Sequence, residues 1–251
     1  MTQPSRFIWY ELLTSNLDSA LAFYGEVIGW TAQESGMPGL DYRILSTQGG
    51  SVGGAMPAPT GMPPCWLGYV GTADVDATVT AITAAGGQVH RSAMDLPGVG
   101  RIALVGDAQG AMFYVMQPLG EGVSTAFATG KPGHAGWNEL NTVNWEAAYA
   151  LYAPLFGWEK SRAMDMGPMG TYQLFSAGGE DIGAMFNSPD ATRPHWLFYF
   201  NVADIDGAKD RLEAGGGRTL MGPHPVPGDL WMIQALDPQG AAFAMVGPRA
   251  A

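Results

Sequence analysis

One stretch near the start of the chain returns once, and this repeat limits the possible folds most. Residues 7–30 read FIWYELLTSNLDSALAFYGEVIGW, and residues 136–158 read GWNELNTVNWEAAYALYAPLFGW. Matching positions keep a constant offset of 128 residues (137 − 9), as between Trp9 and Trp137. Solenoid repeats have periods of about 20–50 residues, so a repeat at this distance indicates a duplicated domain.

Composition supports two domains and excludes several classes of partner. The chain has 251 residues, of which 47% are hydrophobic, so each half can bury a core. A net charge of −11 argues against nucleic acid or an anionic membrane as a partner. Cys65 is the single cysteine, which excludes an internal disulfide and fits a reducing compartment.

The first residues show no signal peptide, and no apolar run approaches the ~20 residues that a membrane helix needs. We therefore expect a cytoplasmic protein, monomeric or homodimeric, that interacts with neither nucleic acid nor membrane.

Both halves predict the same order of secondary structure elements. An alternating apolar run predicts a first strand over residues 7–13. Apolar residues from Leu17 to Ile28 then recur at helical spacing, and Gly29 ends that helix. Three short strands follow, and a second unit of the same kind begins at Cys65. The sequence thus predicts four β-α-β-β-β modules.

A segment without hydrophobic periodicity separates the two halves. Residues 119–133 read LGEGVSTAFATGKPG, which is typical of an interdomain linker. The predicted domains and modules have these approximate boundaries: 1–120 with modules at about 6–58 and 64–118, and 133–251 with modules at about 134–188 and 194–248.

Short motifs occur in the same order in both halves. They are the helix ends AFYGEVIGW and ALYAPLFGW, the helix starts ADVDA and ADIDG, and the turns DAQG and DPQG. In this order they resemble the vicinal oxygen chelate superfamily, which includes glyoxalase I, extradiol dioxygenases and the bleomycin- or fosfomycin-resistance proteins. The resemblance covers nearly the whole chain. It implies an α+β fold in which four βαβββ modules pair into two glyoxalase-like domains, each with a curled, cup-shaped mixed sheet.

Enzymes of this superfamily hold a divalent metal in the cup through His or Glu side chains of the first and last strand of each module. By position, these sites fall on residues that are poor ligands for Zn, Ni, Fe or Mn. We therefore expect no metal and no other cofactor. The positions are Trp9, Met56, Leu67, Tyr114, Trp137, Met185, Leu197 and Ala244.

Two carboxylates are candidate functional groups. Glu11 and Glu139 lie two residues after Trp9 and Trp137, so strand alternation places them on the same face, inside the cup. A buried carboxylate needs a partner or an elevated pKa. Both residues are candidates for general acid–base catalysis or for anchoring a ligand. The alternative is a structural carboxylate bonded to an arginine or to backbone amides.

Two of the four histidines are candidate site residues. His195 begins a strand and is expected to meet Glu139 in the cup, as a base or a metal ligand. His224 lies in the segment GPHPVPG, which we interpret as a loop that covers the cup. The alternative for both is a hydrogen-bonded or exposed histidine. His90 and His134 are expected on the surface.

The candidate ligand-binding residues are mostly aromatic, because an apolar pocket with a few polar tips suits a flat organic molecule. The alternative for each aromatic residue is a place in the core. The second half carries more polar groups, so the working cup is expected there, walled by Trp137, Glu139, Asn141, Tyr172, His195 and Trp231. The full set of binding candidates is Trp9, Tyr42, Tyr114, Trp137, Asn141, Tyr172, His224 and Trp231.

Three functional hypotheses follow, and the fold alone does not choose among them. The preferred one is a protein without the metal ligands of the family that binds a small hydrophobic or aromatic molecule in the sheet cup. The alternative is a metal-dependent or carboxylate-based lyase, isomerase or dioxygenase of the same superfamily. A third possibility is a structural protein that keeps only the scaffold. Whether the chain is an enzyme stays open.

Overall fold

A computed structural model describes residues 5–120, 122–188 and 193–250. Within them the four α-helices are α1 (Leu17–Ile28), α2 (Val75–Ala84), α3 (Trp145–Phe156) and α4 (Ile205–Ala214), and Gly167–Met169 form a short 3-10 helix. The strands of the first half are β1 (Phe7–Thr14), β2 (Thr31–Glu34), β3 (Arg43–Thr47), β4 (Gly50–Pro57), β5 (Cys65–Gly71), β6 (Gln88–Leu96), β7 (Gly100–Gly106) and β8 (Met112–Pro118). Those of the second half are β9 (Ala135–Thr142), β10 (Glu159–Asp165), β11 (Thr171–Ala177), β12 (Glu180–Asn187), β13 (His195–Asn201), β14 (Arg218–Val226), β15 (Leu230–Leu236) and β16 (Ala242–Gly247).

Each half of the chain forms one mixed, eight-stranded sheet that does not close. The strand orders are β2-β3-β4-β1-β5-β8-β7-β6 and β10-β11-β12-β9-β13-β16-β15-β14. In each module the first and last strands run parallel, as β1 with β4 and β9 with β12 do. The predicted α+β fold of four β-α-β-β-β modules is confirmed.

The helices begin and end where the sequence provides caps. The side chain of Asn16 accepts a hydrogen bond from the backbone N–H of Ser19 at the start of α1, and Asn144 caps α3 in the same way. Gly29 ends α1 with φ 88°, a left-handed conformation that favours glycine. None of the helices in the described residues is long and apolar enough to cross a membrane.

Packing divides the chain into two compact units, and each unit takes segments from both halves. Unit 1 comprises the described residues within Met1–Ile8, Gly68–Val123 and Asn138–Trp196, and unit 2 those within Trp9–Leu67, Ser124–Trp137 and Leu197–Ala251. The sheets follow the halves of the chain, whereas the units do not. The predicted domain boundaries at residues 120 and 133 therefore stay a prediction.

In unit 2, α1 packs against α4. Three buried side chains of this unit are linked by hydrogen bonds. The indole Nε1–H of Trp66 donates to the Tyr24 hydroxyl at 2.8 Å, and that hydroxyl donates to Oδ2 of Asp237 at 3.2 Å. Burial, together with the charge of Asp237, raises the pKa of Tyr24 well above its usual value. The tyrosine therefore stays neutral and keeps its donor proton.

Unit 1 contains the matching arrangement. The hydroxyl of Tyr152, on α3, donates to Oδ2 of Asp107 at 3.0 Å. The other oxygen of Asp107 accepts the backbone N–H groups of Gln109 and Ala111, which closes the turn between β7 and β8. The aspartates of the turn motifs DAQG and DPQG are thus buried carboxylates, and each accepts a hydrogen bond from the hydroxyl of a tyrosine on a helix.

His134 is fully buried, so the expectation that it lies on the surface is wrong, whereas His90 is exposed as expected. Nδ1 of the His134 ring lies 2.6 Å from the carbonyl oxygen of Thr125, and Nε2 lies 3.3 Å from the Thr47 hydroxyl. Since both ring nitrogens have partners, burial leaves neither of them unsatisfied.

Candidate functional site

A buried carboxylate forms the centre of the candidate site in unit 1. The side chain of Glu139, on β9, is only 4% exposed. Its Oε2 accepts a hydrogen bond from the Tyr172 hydroxyl at 2.8 Å, and its Oε1 accepts one from Nδ2 of Asn141 at 3.1 Å. These contacts bring together three residues that the sequence nominated.

The register of β9 and β12 shows which other side chains share this face. Glu139 lies opposite Ala184, and Asn141 lies opposite Phe186. The ring centroids of Tyr172 and Phe186 are 5.6 Å apart, with an interplanar angle of 46°. We call Glu139, Asn141, Tyr172 and Phe186 the Glu139 cluster. Phe186 was missed in the sequence, although alternation along β12 would have found it once the register was known.

Met185 takes a different face from the one predicted. It lies opposite Leu140 in the parallel ladder, and both side chains are buried in the core. In the first half Met56 lies opposite Leu13, whereas in the second half Phe186 lies opposite the matching Asn141, so the predicted position is one residue off. Because side chains alternate along a strand, this shift of one residue moves the side chain to the opposite face.

The first half contains a related arrangement in unit 2. Glu11 is 3% exposed and lies opposite Gly54 in the ladder between β1 and β4. The indole Nε1–H of Trp9 donates to the Tyr42 hydroxyl oxygen at 2.8 Å. Tyr42 lies just before β3, and both Trp9 and Tyr42 are half-buried.

Cys65 lies near Glu11 and is half-buried. Burial first, and then the charge of Glu11, raises the pKa of the Cys65 thiol to about 11. The thiolate is the reactive form of cysteine, so the raised pKa disfavours reaction of this thiol at neutral pH.

Two further pairs of side chains and one apolar cluster lie on the sheets. In unit 1, the rings of Tyr69 and Tyr114 stack with centroids 4.2 Å apart, and both residues are buried. In unit 2, Nε2 of Gln234 donates to the Tyr199 hydroxyl at 2.8 Å. Trp137 packs in unit 2 against a buried cluster formed by Leu197, Tyr199 and Ala244.

Three residues that the sequence predicted for the site lie away from these groups or on the opposite face of their sheet. His195 is exposed, and its Nδ1 lies 3.0 Å from the carbonyl oxygen of Arg193. His224 is exposed on β14, so the predicted loop is a strand. That strand is at the edge of its sheet, where prolines are tolerated because no neighbour requires their missing N–H.

Trp231 is the third of these residues. On β15 it alternates with Met232 and Gln234, so it points to the opposite face of the sheet from them. The guanidinium carbon of Arg249 lies 3.8 Å from the centroid of its ring.

The residues present do not fit the divalent metal that enzymes of this superfamily hold. The eight positions that correspond to the metal ligands of the family carry no imidazole or carboxylate. If the last-strand position is assigned to Phe186 instead of Met185, it still offers no metal ligand. In the part of the chain that the structure describes, no three His, Cys, Asp or Glu side chains are grouped closely enough to hold a metal ion.

Comparison with known proteins identifies the family. The family model "Glyoxalase/Bleomycin resistance protein/Dioxygenase superfamily" matches residues 6–115 and again residues 131–245. The chain belongs to this superfamily. The resemblance inferred from the repeated motifs is therefore confirmed, and the superfamily matches fall once in each half.

Relatives span almost the whole length of the chain. A Mycobacterium bovis protein named "Putative glyoxylase CFP32" is 31% identical over 247 residues, covering 96% of this chain and 94% of its own. The anthracycline biosynthesis protein DauV of Streptomyces sp. (strain C5) is 31% identical over 272 residues, covering 99% and 95%.

Solved structures share the fold. The Mn(II)-bound glyoxalase from Novosphingobium aromaticivorans has a TM-score of 0.70 at 17% identity, covering 100% of this chain and 84% of its own. The 2,3-dioxygenase LapB from Pseudomonas sp. KL28 has a TM-score of 0.69 at 14% identity, covering 100% and 94%. At these identities the likeness concerns the fold alone.

Proposed function

We propose that this superfamily member binds a small aromatic molecule without a metal, and that Glu139 anchors the molecule. The observation that carries the proposal is the buried Glu139 carboxylate, held by the Tyr172 hydroxyl and the Asn141 amide. A carboxylate fixed in this way is a strong acceptor for a hydroxyl or N–H group. A ligand with such a donor is therefore favoured.

The apolar members of the Glu139 cluster favour a flat ligand. The Tyr172 and Phe186 rings, both half-buried, lie on the same face as the carboxylate. Sites for small organic molecules combine an apolar wall with a few oriented polar groups. Stacking on aromatic rings adds about 0.5–1.5 kcal/mol beyond the buried area.

The relatives suggest a class of ligand. Two of them, DauV and DnrV, are named as anthracycline biosynthesis proteins, and each is 31% identical to this chain. Anthracyclines contain fused aromatic rings with phenolic hydroxyl groups. A fused-ring phenol offers both a flat face for the aromatic side chains and a donor for Glu139.

A carboxylate-based enzyme is the second candidate. The Tyr172 hydroxyl and the Glu139 carboxylate are 2.8 Å apart, which is the geometry of a proton-transfer pair. Such a pair can remove a proton from a carbon next to a carbonyl group and return it elsewhere, as a lyase or isomerase does. Turnover of the bound ligand distinguishes this candidate from simple binding.

The proposal is tested by titrating chelator-treated protein with 2,6-dihydroxyanthraquinone, whose hydroxyls have no internal acceptor, and with anthraquinone as the hydroxyl-free control. We expect the hydroxylated compound to bind and Glu139→Gln to weaken its binding by about ten- to a hundredfold, since a lost buried polar contact costs roughly 1–3 kcal/mol. The matched variant Glu11→Gln should change its affinity less than about twofold. His195 is exposed, so we assign it no part in anchoring.

Two results would contradict the proposal. One is binding that requires added Mn²⁺ or Zn²⁺ and disappears with chelator. The other is full affinity in Glu139→Gln together with a loss in Glu11→Gln. Analysis of the recovered ligand by mass spectrometry reports turnover in the same samples.

A further inference from the structure

We propose that Tyr42 is a displaceable occupant of a second binding site, in the first half of the chain, and that this site takes a free phenol when Tyr42 moves out. The site consists of residues of unit 2 and uses none of the Glu139 cluster. It is therefore independent of the proposed function, and the two can fail separately.

The first observation is the space that Gly54 leaves. A Cβ atom at position 54 would overlap the Tyr42 hydroxyl oxygen and Cζ, and would lie 2.6 Å from its Cε1. The phenol ring of Tyr42 thus occupies the place of a side chain on β4. At the matching position of the second half, opposite Glu139, Ala184 carries a Cβ, so this space is particular to the first half.

The second observation is a hydrogen-bond donor aimed at the phenol oxygen. Nε1–H of Trp9 donates to the Tyr42 hydroxyl at 2.8 Å. A phenol oxygen accepts such a bond as readily in a free molecule as in a tyrosine side chain. Trp9 and Tyr42 are both half-buried, so a small molecule can reach them from solvent.

The third observation is room for the tyrosine outside the site. Tyr42 is among the residues that line an open depression of about 350 Å³, which residues 34–37 and 40–43 surround. Rotation of the side chain towards the depression would release Gly54 and the Trp9 N–H together.

These features define the chemical class of the ligand. A molecule that replaces Tyr42 needs one aromatic ring that lies over Gly54 and one oxygen that accepts the Trp9 N–H. A monocyclic phenol such as p-cresol has the same groups as the tyrosine side chain. Its affinity in the parent protein is reduced by the fraction of time that Tyr42 occupies the site.

The test follows the Trp9 indole N–H signal by ¹H–¹⁵N NMR, assigned by its loss in Trp9→Phe, during titration with p-cresol or toluene. We expect p-cresol to shift this signal in the parent protein and to bind Tyr42→Ala at least tenfold more tightly. Toluene, which lacks the oxygen, should bind Tyr42→Ala at least tenfold more weakly than p-cresol does.

Two double variants separate a built site from a simple cavity. Tyr42→Ala with Gly54→Ala should lose p-cresol binding, because the new Cβ fills the ring position. Tyr42→Ala with Trp9→Phe should bind p-cresol and toluene equally. Glu139→Gln should leave the p-cresol shift at Trp9 unchanged.

Equal binding of p-cresol and toluene to Tyr42→Ala would overturn the proposal. An unshifted Trp9 signal in the parent protein at saturating p-cresol would overturn it as well, and this measurement needs no variant other than the one used for assignment.

Discussion

At the scale of single residues, the buried hydroxyl of Tyr24 satisfies two other buried groups at once. It accepts the Trp66 indole N–H and donates to the Asp237 carboxylate. Without it, both partners remain in the core without this hydrogen bond, and leaving a buried polar group unsatisfied costs about 1–3 kcal/mol.

We therefore expect Tyr24→Phe to lower the free energy of unfolding by about 1–3 kcal/mol, measured by urea denaturation. Tyr149→Phe is a matched control, because its hydroxyl donates one partly buried bond to the Trp158 carbonyl. It should cost less than about 1 kcal/mol. Equal stabilities of Tyr24→Phe and the parent protein would contradict this prediction.

The Asp237 carboxyl makes stability depend on pH. Burial raises its pKa above the usual value, although the turn N–H groups and Tyr24 oppose the shift. A raised pKa in the folded state means that the folded protein binds more protons than the unfolded chain. The contribution of this group to stability is therefore fully present below the unfolded pKa of about 3.9 and is lost as pH rises through the folded value.

We expect the stability of the parent protein minus that of Asp237→Asn to decrease as pH rises from about 4 towards 7. Urea titrations of both proteins at each pH give this difference, in which the contributions of groups remote from position 237 largely cancel. If this difference in stability increased with pH, the pKa of Asp237 would be lowered in the folded protein, not raised.

At this scale the sequence predicted which residues of a strand share a face, but not how neighbouring strands pair. The spacing of Trp137, Glu139 and Asn141 placed Glu139 and Asn141 on one face, and the structure brings Tyr172 to the same carboxylate. It did not predict Phe186, because the offset between the two halves changes from 128 to 130 within the module and a shift of one residue reverses a face. Long-range packing, such as the burial of His134 against Thr47, leaves no local pattern to read.

At the scale of elements, helix starts were predictable from local chemistry. Asn16 and Asn144 precede α1 and α3, and both accept a hydrogen bond from the first turn. The prolines of β14 were harder to interpret, because an edge strand and a loop both accommodate them. Antiparallel pairing with β15, which follows after a short turn, shows that these prolines belong to a strand.

Replacing the cap of α1 tests this reading. Asn16→Ala removes the acceptor of the Ser19 N–H and should lower the free energy of unfolding by about 1 kcal/mol. Asn16→Asp keeps an acceptor and should stay within about 0.5 kcal/mol of the parent protein. Denaturant unfolding monitored by far-UV circular dichroism measures both, and an alanine variant as stable as the aspartate variant would contradict the cap assignment.

At the scale of the whole molecule, sheets and compact units divide the chain differently. Each sheet comes from one half, whereas unit 2 combines helix α1 of the first half with helix α4 of the second. Tyr24 and Asp237, which bond inside that unit, are 213 residues apart in the sequence. Neither half carries all the residues of a complete core.

Expression of residues 1–120 and 121–251 as separate chains tests this arrangement. We expect neither fragment alone to unfold cooperatively as a monomer, and a mixture of the two to regain the transition of the intact protein. Calorimetry with sedimentation analysis measures both properties. A sharp unfolding transition of monomeric residues 1–120 would contradict the expectation.

The hydrogen bonds between a tyrosine of one half and an aspartate of the other have a consequence for how the gene evolves. After a duplication, two copies of a gene segment usually diverge independently. Here the helix tyrosine of each copy bonds to the turn aspartate of the other, Tyr24 to Asp237 and Tyr152 to Asp107. A lineage that altered Asp237 would place Tyr24 under new selection, although the two codons lie far apart. We expect descendants of this gene to change the two members of each pair together.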